Sequence, residues 1–171
     1  MNTKAQQILI MGVSGSGKTS VGKALAQALA CDFIDADDFH SPESKAMMAA
    51  GTPLTDKERE PWVLSLCEML SQYSAKRKSV VLAVSGLKSA HRIQLTAACK
   101  NCESFLLDLP CDVLEARLTQ RASHFFPATL LKSQLSSLEQ PKASESLTVL
   151  DGNQTITALV DLCKLQLTQS I

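Results

Sequence analysis

Eight consecutive residues constrain this chain more than any others: Gly12-Val13-Ser14-Gly15-Ser16-Gly17-Lys18-Thr19. They complete a G-x-x-x-x-G-K-T pattern, whose chance occurrence in a chain this long is under about one in a hundred at average residue frequencies. An apolar segment, Ile8–Met11, ends just before it and reads as a short buried strand. A helical pattern, Lys18–Ala30, starts inside it, with Val21, Ala24, Leu25, Ala28 and Leu29 on one face. That order of strand, loop and helix is what the chemistry needs. Glycines let backbone N–H groups turn inward around a phosphate, and the following helix N-terminus adds partial positive charge. Lys18 can reach the β- and γ-phosphates, and the Thr19 hydroxyl can ligate Mg²⁺. Gly12, Val13, Ser14, Gly15, Ser16, Gly17, Lys18 and Thr19 are therefore the expected binding loop for a nucleoside triphosphate.

The remaining chain alternates strand-like and helix-like segments, which predicts an α/β fold with a mainly parallel sheet. A second strand begins at Phe33-Ile34 and runs into acidic residues; Val80–Val84 is a third, β-branched and apolar as a central parallel strand should be. Phe105–Leu109 and Leu147–Leu150 make five. Thr55-Asp56-Lys57-Glu58 has the form of a capping box, so a helix starts there and runs to about Ala75. Lys76-Arg77-Lys78 at its far end suits the helix dipole better than a binding patch. Ser89–Lys100 and Asp112–Arg121 read as helices, and a final helix lines up Ile156, Leu159, Val160, Cys163 and Leu167. Ala122–Pro141 is polar, then briefly helical, and reads as a mobile lid rather than a core element. No repeat or linker interrupts residues 1–171, so a single domain is expected.

Charge and cysteine usage narrow the function. Seventeen Lys and Arg balance seventeen Asp and Glu, which argues against a nucleic-acid partner; phosphate must be handled by a few placed cations. The apolar run Val80–Val84 falls far short of the ~20 residues a membrane span needs, and the N-terminus has no long apolar signal region. Six cysteines sit mostly in apolar segments, where a reduced thiol behaves as a small hydrophobe, so the cytoplasm is the expected compartment. Cys99-Lys100-Asn101-Cys102 is a lone CxxC with no second pair or histidines near it, which speaks against zinc.

In an open parallel sheet, ligands gather at the carboxyl ends of the strands. Besides the phosphate loop, Asp35-Ala36-Asp37-Asp38 and Ser85-Gly86-Leu87-Lys88 fall there. Carboxylates facing a magnesium nucleotide suit coordination of metal-bound water and abstraction of a hydroxyl proton. The chain lacks an Asn-Lys-x-Asp guanine-reading motif and is too small for a motor. A small-molecule kinase is the leading expectation.

Four blocks then occur in order. They are the phosphate loop, Phe33-Ile34-Asp35-Ala36-Asp37-Asp38-Phe39-His40, the stretch Gly51-Thr52-Pro53-Leu54-Thr55-Asp56-Lys57-Glu58-Arg59-Glu60-Pro61-Trp62, and His124-Phe125-Phe126 with Leu131-Lys132-Ser133-Gln134 and Leu138-Glu139. Together they resemble the gluconokinase family of the shikimate- and adenylate-kinase-like P-loop group, over nearly the whole chain. The resemblance implies a three-layer α/β/α P-loop kinase fold, with a five-stranded parallel sheet and a small helical lid near residues 122–141. It implies ATP and Mg²⁺, D-gluconate as acceptor, 6-phosphogluconate as product, and a homodimer. Asp37 is then expected to orient or deprotonate the sugar 6-hydroxyl, and Asp35 to act through magnesium-bound water, with Thr19 as the other metal residue. Arg59 matches a family arginine that grips the acceptor carboxylate, where a bidentate fork suits the geometry. Lys88 and Arg92 are expected to line the same cleft, and His124 to look in at the substrate. Arg117 and Arg121 lead into the lid, where a guanidinium can neutralise charge on the transferring phosphoryl group.

Plainer roles compete with these. Arg59 can pair with Asp56 on a helix surface, His40 suits a structural hydrogen bond better than catalysis, Trp62 reads as core, and Asp38 as solvated. The departures from the family cluster at Ser44, Met47, Val84-Ser85-Gly86, His91, Ile93 and Ser123, all on the acceptor or lid side. A kinase for another small hydroxy acid or polyol, and a non-catalytic nucleotide-binding regulator, therefore stand as alternatives.

Overall fold

The computed structural model of the chain describes residues 5–120 and 128–169. Five strands form one parallel sheet in the order β2-β3-β1-β4-β5: β1 Gln7–Met11, β2 Asp32–Asp35, β3 Val80–Val84, β4 Cys102–Asp108 and β5 Thr148–Asp151. The two strands richest in branched apolar residues, β1 and β3, pair with each other from Gln7↔Val80 to Met11↔Val84 and are buried along their full length. Parallel strands need crossover connections, and helices supply them on both faces of the sheet.

The pleat divides the core in two. Ile8 and Ile10 point to the face covered by α1 (Lys18–Leu29), α5 (Cys111–Thr119) and α7 (Ile156–Gln169), packing with Val21, Leu25, Leu114 and Cys163. Leu9 and Met11 point to the opposite face, against Trp62, Val63, Leu66 and Leu70 of α3 (Asp56–Ala75) and Leu95 of α4 (Ser89–Ala97). The chain leaves β1 and reaches β2 by passing over β3, so the switch in strand order opens a crevice beside the carboxyl end of β1.

The expected capping box opens α3: the Glu58 N–H donates to Thr55 Oγ1 at 3.4 Å, and the Thr55 N–H donates to Glu58 Oε2 at 2.7 Å. The helix ends at Ala75, so Lys76-Arg77-Lys78 lie just beyond its last turn. Strand β4 starts at Cys102, three residues before the expected Phe105, and α4 stops at Ala97. Cys99 and Cys102 flank that turn among the apolar side chains over α3, and all six cysteines are free thiols.

Two segments differ from expectation. A short helix, α2 (Pro42–Ala49), follows β2; Ser41 caps it by accepting from the Ser44 N–H at 3.1 Å, and Pro42 occupies its first turn. It buries no residue, so no apolar stripe announced it. The second is the expected lid, whose helix α6 (Ala128–Ser137) is anchored in the core: Leu130 and Leu131 are 6% and 2% exposed, and Leu135 and Leu138 pack against the same cluster. Read by composition the stretch is polar, but its leucines share one helical face. Residues 121–127, which include the start of the expected lid, lie outside the described residues.

Candidate active site

The loop between Met11 and Lys18 is shaped by the absence of side chains. A Cβ on Gly12 would sit 2.5 Å from Ser16 Oγ and 3.2 Å from the Leu107 carbonyl oxygen, so only glycine lets the loop close on the strand beside it. Gly17 has φ 93° and caps α1 without a side-chain bond. The first N–H groups of α1 are thereby left to an anion rather than to a capping side chain. Lys18 is the first residue of α1, half-buried beneath the loop. Ser16 Oγ is buried without a hydrogen-bond partner. The loop is tied on three sides. Gly12 N–H donates to the Ser85 carbonyl at 3.2 Å, and Ser14 N–H donates to Gln134 Oε1 of α6 at 2.7 Å. Arg117 of α5 donates to the Ser16 carbonyl at 3.4 Å and to the Gly152 carbonyl at 3.0 Å, so it braces the loop from outside.

At the end of β2, Asp35 reaches across to α1. Its Oδ2 accepts from the Thr19 hydroxyl at 2.9 Å and its Oδ1 accepts from the Asp37 N–H at 3.1 Å. A hydroxyl and a carboxylate side by side at a phosphate loop are hard oxygen donors of the kind Mg²⁺ takes while keeping water and phosphate oxygens in its other positions. Asp37 is exposed, in a one-turn 3-10 helix spanning Ala36–Phe39. That turn is fastened to α3: Trp62 Nε1 donates to the Ala36 carbonyl at 2.7 Å, and the His40 ring stacks on Trp62 with centroids 4.5 Å apart and planes 9° from parallel. Burial pushes the His40 pKa below its ordinary value, and the Lys45 and Arg59 cations add to this against the pull of Asp37. The shift favours the neutral form of the imidazole, which lies as a plate under the turn. Its Nδ1 is buried without a partner, so the structural hydrogen bond expected of His40 gives way to stacking.

The expected acceptor side is built from side chains rather than backbone. Lys88, at the N-cap of α4, donates to Asp56 Oδ2 at 3.0 Å, and Arg59 approaches Asp56 Oδ1 at 3.7 Å from one turn along α3. Lys88 and Arg59 are only 30% and 15% exposed in their side chains, whereas Asp56 is 62% exposed, so the cations form the wall and the carboxylate the outer rim. The hydrogen bond from Lys88 holds the Asp56 carboxyl below its usual value. His91, one turn along α4, feels the same charges. Burial first, then Arg59 and Lys88, lower its pKa, while Asp56 and Glu139 oppose them.

Arg92 requires a correction. Expected in the cleft, it is 2% exposed and wholly committed elsewhere. Its Nε and Nη2 donate to the two Glu145 carboxylate oxygens at 2.6 and 2.8 Å, and its Nη1 donates to the carbonyls of Gly86, Leu87 and Glu139. A guanidinium with that many buried partners is a clamp, and it holds the Glu145 carboxyl down at about 2. Of the departures, Ile93 is 56% exposed, and Ser44 serves the N-terminus of α2. Met47 is half-buried, and among the described departures His91 stands beside the charges of Arg59, Asp56 and Lys88. Arg121, Ser123 and His124 lie outside the described residues. The structure thus brings together the phosphate loop, Lys18, Thr19, Asp35 and Arg117 on one side, and Arg59 with Lys88 on the other, with Asp37 on the turn tied to α3. Sequence reasoning gave Gln134 and Glu145 no role; Gln134 lay inside a quoted motif, but Glu145 carried no signal.

A family model described as shikimate kinase matches residues 14–156. The chain is similar to a probable gluconokinase of Xenopus tropicalis, 40% identical over 168 residues that cover 90% of this chain and 88% of the relative. Among solved structures, a Janibacter sugar kinase superposes with a TM-score of 0.91 at 38% identity, covering 96% of this chain and 95% of that one. A gluconokinase from Sinorhizobium meliloti superposes with a TM-score of 0.87 at 35% identity, covering 99% and 94%.

Proposed function

The chain belongs to the gluconokinase family within the shikimate-kinase-like P-loop kinases, and on that premise we propose that it transfers the γ-phosphate of ATP to the 6-hydroxyl of D-gluconate, giving 6-phospho-D-gluconate and ADP. The observation that carries the reading is the pairing of two kinds of site at the carboxyl end of one sheet. A main-chain phosphate cradle with the Thr19–Asp35 contact at 2.9 Å lies beside two half-buried cations, Arg59 and Lys88, suited to a carboxylate.

The residues divide the work by chemistry. Backbone N–H groups of the loop and the α1 N-terminus, with Lys18, hold the β- and γ-phosphates in line. Thr19 and Asp35 are the residues that would hold Mg²⁺, which would supply charge neutralisation on the phosphates. Arg59 and Lys88 bind the acceptor carboxylate. Asp37 accepts the proton of the 6-hydroxyl as its oxygen bonds to the γ-phosphorus, and the bond from that phosphorus to the β,γ-bridging oxygen breaks to release ADP. Arg117 steadies the loop backbone; the charge-neutralising role expected of Arg121 and the substrate contact expected of His124 fall on residues outside those the structure describes. No helix among the described residues is long and apolar enough to cross a membrane. Free thiols throughout support a reducing compartment, and we assign the reaction to the cytoplasm. A homodimer is part of the proposal and is read by sedimentation.

The test is ADP release from Mg-ATP against D-gluconate, related sugar acids, shikimate and nucleoside monophosphates, with Lys18→Ala as the blank. Gluconate-dependent turnover is expected. Turnover with another acid instead would make His91 the residue to examine for specificity, and nucleotide binding with no acceptor turnover would overturn the kinase reading in favour of a regulator.

A further inference from the structure

The hydrogen bond from Ser14 to Gln134 spans 120 positions and joins the phosphate loop to α6 at 2.7 Å. Five residues later, Glu139 makes two bonds to a different loop. Its N–H donates to the Leu87 carbonyl at 2.8 Å, and its Oε2 accepts from the Ser89 N–H at 2.9 Å. Leu87 and Ser89 are the residues on either side of Lys88. Leu135 and Leu138, between the two contacts, pack against the same core as Leu131, so the segment transmits displacement as a packed element rather than as a loose tether. Beyond it, Glu145 accepts from the Ser89 hydroxyl at 2.9 Å and from Arg92, which fixes the far end.

From this arrangement we infer that residues 134–139 couple nucleotide occupancy to acceptor affinity, with Gln134 as the positioning residue on the nucleotide side and Glu139 on the acceptor side. The physical basis is competition for one donor. The Ser14 N–H lies in the phosphate loop, and an arriving phosphate oxygen is a charged acceptor that outcompetes a neutral amide oxygen. In the structure Gln134 holds α6 to the loop, and Lys88 is paired with Asp56 at 3.0 Å. Nucleotide binding releases Gln134, shifts the 87–89 backbone through Glu139, and takes Lys88 off Asp56, leaving it for the acceptor carboxylate. A ligand that discriminates between two states in this way shifts their populations, and the coupling is reciprocal.

The inference rests on the proposed reaction only for the identity of the acceptor, so two readouts are used. The first is hydrogen exchange of the peptide covering residues 86–92, with and without adenosine 5′-(β,γ-imido)triphosphate and Mg²⁺. A change of about threefold or more is expected in the wild type and its loss in Gln134→Ala. The second is the dissociation constant for D-gluconate with and without the same analogue. The wild type should bind gluconate at least about fivefold more tightly with nucleotide. Gln134→Ala should bring that ratio towards one, and Glu139→Ala, at an exposed position, should do the same from the other end. A residue that merely supports the fold would change both affinities together and leave the ratio intact. Unchanged exchange in the wild type, or an unchanged ratio in both variants, overturns the inference even if gluconate is phosphorylated. Exchange that responds to nucleotide through Gln134 while gluconate fails to bind overturns the acceptor assignment alone.

Discussion

The two sides of the cleft are made from different material. The nucleotide side is mostly main chain. A buried central strand delivers Gly12 against Ser16 and Leu107, and Gly17 opens α1 with no side chain in the way. The proposed acceptor side is mostly side chain: Asp56, Arg59 and Lys88 meet from α3 and the N-cap of α4, with a carboxylate 62% exposed between them. Backbone geometry set by packing tolerates little change, whereas exposed ion pairs contribute little stability and can be rearranged at small cost. Of the departures from the family pattern, His91 stands among the charges of the second side. Such a division lets one kinase scaffold keep its phosphate donor while its acceptor is retuned.

Substitutions can break that contrast. The largest effect should come from Gly12→Ala, because the added Cβ meets Ser16 Oγ at 2.5 Å and the Leu107 carbonyl at 3.2 Å. A loop displaced by about 1 Å should lose on the order of 10²-fold in kcat/KM for ATP, read by steady-state kinetics beside a circular-dichroism check of folding. Wild-type kinetics in Gly12→Ala would mean that the nucleotide side is as adaptable as the other. Asp37→Asn should lower kcat by about 10²–10⁴ with the KM for ATP nearly unchanged, as for a lost general base; a full rate would remove Asp37 from that role.

Arg92 tests the scaffold behind the acceptor loop. Arg92→Ala strands the Glu145 carboxylate, only 7% exposed, and should destabilise the protein by about 3–5 kcal/mol in urea unfolding. The same pair carries a pH signature. The Glu145 carboxyl titrates at about 2 when folded, against 4.5 ordinarily, so its stabilisation is complete above pH 4.5 and is lost as pH falls towards 2. Thermal unfolding of Glu145→Gln should lack that acid-limb slope, and an identical slope would show that another carboxylate is responsible. The smallest effect belongs to Asp56→Asn. Freeing Lys88 from its 3.0 Å partner should lower the KM for gluconate by roughly two- to five-fold at low salt, with the gain fading as screening rises. A raised KM would instead make Asp56 a positioner of the two cations.

What could be read from the chain follows the same division. The phosphate loop is one contiguous string, so its chemistry and its context were legible together. The buried strand Val80–Val84 matched its pattern residue for residue, and the Thr55–Glu58 capping box placed the start of α3. The rest depended on partners far along the chain. Arg92 looked like a cleft residue because its role rests on Glu145, 53 positions away, and Gln134 is meaningless until it is seen 120 positions from Ser14. The leucines of α6 were hidden by polar neighbours, and α2, which buries nothing, offered no periodicity to read.

One further consequence lies in the first turns of α3. Arg59, which faces the acceptor's carboxylate in the proposed reaction, and Trp62, which pins the Asp37 turn through the Ala36 carbonyl at 2.7 Å, are neighbours one turn apart on a rigid helix. The group that holds one end of the sugar acid and the group that meets the hydroxyl at its other end are thus mounted on a single bar. Such a mounting is a gauge of chain length. On the proposed reading the enzyme should reject five- and seven-carbon aldonic acids more severely than it rejects six-carbon epimers, because lengthening or shortening the acceptor misses the base, whereas inverting a hydroxyl in between does not.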